Sequence, residues 1–221
     1  MEKKILYTIS DKCIIIDLDQ TLIYTQEDIS LTKKDFYDKI SHRIYNIKLD
    51  DNEIIGIFRP YVQEFLLFCF CYFKVVAVWS AGQKDYVNAM VDILFPTRKP
   101  NIVFTFDDTV EFGEDFIKPI EKLIKHDPFY NKFMNIKNTF ILDDYEITAI
   151  KNKYNIILIP AYGPNPDLKS ILRSEESLLQ FKNWLLQPHV VNSKDIRLLD
   201  KSNIFNVDYK DYKNIGYVCR F

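Results

Sequence analysis

The sequence predicts an α/β fold with a mostly parallel central sheet flanked by helices and an inserted β-hairpin flap. Three observations predict it. Short runs of Ile, Val, Leu and Cys are continuous rather than alternating, as in strands covered on both faces. They alternate with segments whose apolar residues recur at helical spacing, which implies right-handed crossovers between parallel strands. Acids and hydroxyls collect just after the runs, at the strand ends where open α/β sheets place their ligand crevices.

The elements follow in order. Residues 13–17, Cys-Ile-Ile-Ile-Asp, read as the first core strand. Residues 26–45 are polar and mixed, and read as an insertion with some helix. Residues 44–48 and 53–58 flank Leu49-Asp50-Asp51-Asn52, the pattern of a β-hairpin. Pro60 then opens a helix to about Tyr72, with Val62, Phe65, Leu66 and Cys69 on one face. Residues 74–79 form a second buried strand, and 83–94 a helix whose apolar side is Val87, Met90, Val91 and Leu94. Residues 101–106 are a third strand and 107–115 an acidic loop. A helix starts at Pro119, a fourth strand covers 139–142, a short helix 146–152 and a fifth strand 155–159. Residues 161–167 are a proline-rich loop, and 174–186 an amphipathic helix capped by Ser174. Beyond residue 187 a short helix and an extended segment are expected. With no repeat and no linker, the chain reads as a single domain over 1–221. Its core is about 12–187, its flap about 23–58 and its C-terminal extension 188–221.

Composition narrows the function. The 221 residues are 48% hydrophobic and 15% aromatic, which is a folded chain. A net charge of −2 gives no field for nucleic acid or an anionic membrane. Five glycines form neither a G-x-G-x-x-G nor a Walker pattern. The most apolar stretch, residues 65–79, carries Lys74 and falls short of the ~20 residues a spanning helix needs. The four cysteines have no zinc spacing and no disulfide framework. Three sit in apolar segments and are expected as buried thiols in an intracellular, reducing compartment, nucleus or cytoplasm.

Each core strand that ends in polar residues supplies one chemical part. The first offers Asp17, Asp19 and Thr21, the second Ser80, and the fourth Asp143 and Asp144, while Lys118 stands before the Pro119 helix. Acids for a hard cation, a hydroxyl and a fixed ammonium at one sheet edge suit phosphoryl transfer to a carboxylate. A second carboxylate can protonate the leaving oxygen and later deprotonate water. Trp79 reads as core, and His42, His126 and His189 as surface or structure.

In this order, DLDQTL, RPYVQEFL, VVAVWSAGQKDYV, FIKPIEKL and FILDDYEITAI resemble the RNA polymerase II C-terminal-domain phosphatases, which include the small NLI-interacting-factor-like members. That family belongs to the haloacid dehalogenase superfamily and has a Rossmann-like fold, and the resemblance covers about residues 12–187. It implies that Asp17 is the phosphorylated nucleophile and Asp19 the acid/base, with Thr21 completing the D-x-D-x-T signature. It implies phosphate binding by Ser80 and Lys118, and Mg²⁺ held by Asp17, Asp144 and the Asp19 backbone carbonyl. Asp143 would support Lys118, and Arg59 would hold the flap or the substrate. The implied substrate is a phosphoserine or phosphothreonine protein, including the polymerase tail. Where the small members carry an arginine after the third strand, this chain reads Phe104-Thr105-Phe106-Asp107-Asp108. Three other readings stay open. One is a small-molecule phosphatase under the same insertion. Another is a non-catalytic binding module on this fold, against which the retained aspartates argue. The third is a two-component receiver domain, whose acceptor aspartate lies on a middle strand rather than the first.

Overall fold

The structure is a computed structural model that describes residues 8–26, 40–49, 52–164 and 175–205. Its body is a five-stranded parallel sheet in the order β10-β9-β1-β5-β6. The strands are β1 (Cys13–Ile16), β5 (Val75–Trp79), β6 (Ile102–Phe104), β9 (Thr139–Asp143) and β10 (Ile156–Leu158). The chain runs outward from β1 through β5 to β6, then returns to the other side of β1 for β9 and β10. Strand order therefore reverses at β1, and the crevice beyond its C-terminal end is a topological switch point.

The continuous apolar runs have a simple cause: both faces of the sheet are covered. Side chains alternate along β1, so Ile14 and Ile16 face one core while Cys13 and Ile15 face the other. The first core takes Val76, Val78, Phe140 and Leu142 together with α1 (Val62–Tyr72), α2 (Lys84–Leu94) and α4 (Ser177–Leu185). The second takes Val75, Ala77, Trp79 and Ile141 with α3 (Ile120–His126). Each large aliphatic side chain so buried contributes about 1.5–3 kcal/mol. A short α5 (Pro188–Val191) and a 3₁₀ turn (Ile196–Leu198) follow, and Lys12 ties this extension to the body by donating to the Val191 carbonyl at 2.8 Å.

The flap is an antiparallel sheet in the order β2-β4-β3, from β2 (Ile23–Gln26), β3 (Ile44–Leu49) and β4 (Asn52–Phe58). The expected hairpin is present, and β2 is an additional strand inside the flap region. Most of the expected helical insertion, residues 27–39, lies outside the described residues, as do Ser174 and residues 206–221.

Other expectations are corrected. Pro60 does not open α1: Tyr61 adopts a left-handed φ of 64°, so the helix starts at Val62. The acidic segment is no loop but a hairpin, β7 (Val110–Phe112) and β8 (Asp115–Ile117). Gly113, at φ 65°, supplies the positive φ its two-residue connection requires. The short helix expected over Glu146–Asn152 is present as 3₁₀, broken at Ala149. The helix expected from residue 174 is α4 and begins at Ser177, with Glu176 before it. Cys13 and Cys69 are buried free thiols, whereas Cys71 is disulfide-bonded and departs from the reduced state expected. No helix among the described residues is long and apolar enough to cross a membrane.

Candidate active site

Immediately after β1 the chain coils on itself. The Leu18 carbonyl accepts the N–H groups of Thr21 (3.2 Å), Leu22 (2.8 Å) and Ile23 (3.1 Å), and Gln20 adopts a φ of 56°. Buried Leu18 and Leu22 anchor this coil in the core. It turns Asp17 and Asp19 toward the crevice at the switch point. β9 ends beside β1 and brings Asp143 and Asp144; β5 ends on the other side and brings Ser80. The β7–β8 hairpin leads directly into Lys118, whose backbone N–H donates to the Thr148 carbonyl at 2.7 Å.

These residues share one pocket of about 530 Å³, lined by Asp17, Asp19, Ser80, Lys118, Asp143 and Asp144 among others. At its floor the Lys118 ammonium donates to Asp17 Oδ1 at 2.5 Å and to Asp143 Oδ2 at 2.7 Å. Asp143 also accepts the Tyr145 N–H on Oδ1 at 2.9 Å, so both its oxygens are engaged. Thr21 donates to Asp144 Oδ1 at 3.1 Å and so ties the β1 coil to the end of β9. Ser80, 1% exposed, accepts the Gly82 N–H on Oγ at 3.0 Å.

Four carboxylates thus face one ammonium across the pocket. Burial drives Asp17 well above the usual carboxylate range; Lys118 opposes that rise, while Asp143 and Asp19 add to it. Burial raises Asp19 against hydrogen bonds from Tyr86 and Thr25. It also raises Asp144, helped by the neighbouring Asp143 charge. Burial alone would lower Lys118, but the facing carboxylates of Asp17 and Asp143 outweigh it, so the ammonium stays charged. This excess of negative charge fits a hard divalent cation. Carboxylate oxygens of Asp17, Asp143 and Asp144 lie within 4.8 Å of one another. Asp143 joins that cluster although Lys118 and Tyr145 already claim it. The Asp19 side chain does not join: it turns to Tyr86, whose hydroxyl donates to Oδ1 at 2.5 Å.

The structure places the Arg59 guanidinium behind the pocket rather than in its lining. It is 1% exposed and absent from the pocket lining. Its Nε bonds Glu175 at 3.0 Å, Nη1 bonds the Gln20 and Thr21 carbonyls, and Nη2 bonds the Pro160 carbonyl and Glu175. All five N–H donors are used. Arg59 braces the back of the β1 coil, and its own N–H bonds the Leu22 carbonyl at 2.9 Å. Trp79 is fully buried against Phe104, as expected of core. His126 packs edge-on against Phe104, while His42 and His189 are exposed.

Sequence reasoning missed Tyr86, Thr25 and Tyr45, which surround Asp19. A signal existed for Tyr86, a hydroxyl in the first turn of the helix that follows a pocket-forming strand end. Thr25 and Tyr45 gave none, because their placement depends on how the flap strands pair.

A sequence model described as NLI interacting factor-like phosphatase matches residues 12–197. No curated protein matches the chain in a sequence search. Among solved structures, it is similar to the fission yeast RNA polymerase II CTD phosphatase Fcp1 bound to beryllium fluoride. There the TM-score is 0.56 at 19% identity, over 76% of this chain and 48% of that chain. A second structure, of Fcp1 as an essential RNA polymerase II CTD phosphatase, gives 0.55 at 17% identity, over 86% of this chain and 58% of that one. The chain therefore spans about half the length of the solved proteins it matches, and the likeness lies in the fold.

Proposed function

The chain belongs to the NLI interacting factor-like phosphatase family, and from that premise we propose that it is a Mg²⁺-dependent phosphatase acting on phosphoserine and phosphothreonine in protein. The observation that carries this reading is the buried Lys118 ammonium, shared between Asp17 and Asp143 at the switch point. It fixes a carboxylate beside a cation where a phosphate's oxygens can be received.

In this reading Asp17 attacks phosphorus, the ester P–O bond breaks, and Asp19 gives its proton to the departing serine or threonine oxygen. Water, losing a proton to Asp19, then attacks the aspartyl phosphate and releases inorganic phosphate. Lys118 and Ser80 receive the phosphoryl oxygens on which charge develops. Asp143 holds Lys118, Thr21 holds Asp144, and Arg59 holds the coil that carries both catalytic aspartates. Asp17, Asp144 and the Asp19 carbonyl are the groups that would hold Mg²⁺. When bound, the ion supplies neutralising charge between the attacking carboxylate and the phosphoryl group. The polymerase tail is a substrate of this class, named for the similar structures.

The test is hydrolysis of p-nitrophenyl phosphate and of phosphoserine and phosphothreonine peptides, with and without Mg²⁺. Asp17→Asn is expected to abolish turnover of all of them while the chain still folds. Turnover surviving in that variant refutes the aspartyl-phosphate route. Turnover of small metabolite esters alone assigns the pocket to a small-molecule phosphatase instead.

A further inference from the structure

We infer that Tyr86, with Thr25 and Tyr45 of the flap, is a positioning device that grips Asp19 by Oδ1 and leaves Oδ2 to carry the catalytic proton. The inference rests on the phosphatase reading above and adds residues to it. Its basis is a connected set of hydroxyls. Tyr86 donates to Asp19 Oδ1 at 2.5 Å, and Thr25 Oγ1 reaches the same oxygen at 3.4 Å. Thr25 Oγ1 also lies 3.0 Å from the Tyr86 hydroxyl and 2.8 Å from the Tyr45 hydroxyl.

Each hydroxyl has one proton, so with the Asp19 carboxylate as acceptor the order of donation is fixed. Tyr86 gives its proton to Asp19. Thr25 must then donate toward Asp19 and the Tyr86 oxygen, which leaves Tyr45 to donate to Thr25. Every proton of the chain points toward Asp19 Oδ1, so that oxygen is held as an acceptor. A proton on the Asp19 carboxyl then sits on Oδ2. Hydrogen bonds in such a chain also reinforce one another.

The flap's pairing shows that the arrangement is built into the fold. Thr25 on β2 and Tyr45 on β3 both pair with Gly56 on the central strand β4. Three residues in one cross-strand row share a face, and the middle one has no side chain. Thr25 and Tyr45 meet over that gap. A methyl group at position 56 would overlap the Tyr45 hydroxyl and come within 2.5 Å of the Tyr24 carbonyl oxygen. Gly82 gives Tyr86 similar room, since a methyl there would approach its ring to 2.7 Å. The device therefore couples flap to body through Asp19.

The experiment compares wild type with Tyr86→Phe, Thr25→Val and Tyr45→Phe by kcat/KM on two esters in Mg²⁺. One is p-nitrophenyl phosphate, whose leaving group departs without a proton; the other is a phosphoserine peptide, whose alkoxide needs one. Because kcat/KM ends at formation of the phosphoenzyme, it isolates the acid step. Tyr86→Phe is expected to lose roughly 10–100-fold on the peptide and under about 3-fold on the aryl ester, a part of the ~10²–10⁴ that general acid catalysis supplies. The flap variants are expected to show the same split with smaller losses. Equal losses on both esters, or none on either, overturn the inference. A crystal structure of Tyr86→Phe gives a readout that does not depend on turnover: the Asp19 carboxyl is expected to leave its seat, and an unmoved Asp19 overturns the inference. If wild type hydrolyses neither ester, the phosphatase reading falls, and the Asp19 rotamer alone decides the positioning claim.

Discussion

Replacing Lys118 with Met removes one charge and leaves the volume nearly unchanged, so its effect can be worked from contacts. Lys118 is 2% exposed and Asp143 1% exposed, and the ammonium sits 2.5 and 2.7 Å from carboxylates of Asp17 and Asp143. Without it, two buried carboxylates face each other and Asp144. Removing one partner of a buried ion pair costs about 3–5 kcal/mol, a large share of the ~5–15 kcal/mol that holds a domain folded. The assay is urea unfolding of Lys118→Met beside wild type, in chelator, at several pH values. The sign follows from proton linkage. Burial already holds Asp17 above the unfolded value of about 3.9, and losing the ammonium removes what opposes that rise, so the folded state binds more protons and stability falls as pH rises. The deficit is therefore expected to be smallest near pH 4. Above that it should grow by up to about 1.4 kcal/mol per pH unit for each carboxyl that takes a proton on folding. Mg²⁺ is expected to restore part of the loss by binding the folded state alone. A deficit under about 1 kcal/mol at neutral pH, or one that ignores pH, refutes the claim that Lys118 holds the acids together.

Three further outcomes are expected. Arg59→Leu leaves Glu175 without its partner and the Gln20, Thr21 and Pro160 carbonyls without donors; it should cost about 3–5 kcal/mol in urea unfolding, and wild-type stability would show that the brace is dispensable. Burial pushes Glu175 up, but Arg59 and Ser177 more than offset it, so its pKa is lowered; its stabilisation is present above the unfolded value of about 4.3 and lost as pH falls through the folded one, so Glu175→Gln should flatten the stability profile in acid, and an unchanged profile counts against it. Thr21→Val removes the hydrogen bond to Asp144 and is expected to weaken Mg²⁺ binding about 10-fold in a calorimetric titration, whereas unchanged affinity would mean that Asp144 needs no support.

The parts of this fold that were legible in sequence are those whose cause is local. The Cys13–Ile16 and Val75–Trp79 runs are apolar at every position because both sheet faces are covered. Asp17, Ser80 and Asp143 could be placed at one rim because parallel strands put all their C-terminal ends on one side, whereas Lys118 was placed only by its order before the Pro119 helix. What was not legible depends on pairing or on local backbone. The β7–β8 hairpin hides in an acid-rich segment, since each strand has three residues and its faces are largely exposed; Gly113 was its one signal. Arg59 gave no sign that its partners would be Glu175 and three carbonyls, because these come from distant segments. The flap's share of the Asp19 network was invisible because it depends on the row Thr25–Gly56–Tyr45, which register alone creates.

The hairpin before Lys118 carries a consequence for how such chains can diverge. Lys118 is pinned by its backbone to Thr148, and Asp115, just past the turn, receives the Tyr145 hydroxyl at 3.1 Å. The tip at Gly113 touches nothing that a side chain there would disturb. Extra residues grafted at that tip would leave the lysine in register, so the fold offers a port where length and specificity can change while the reacting groups stay put.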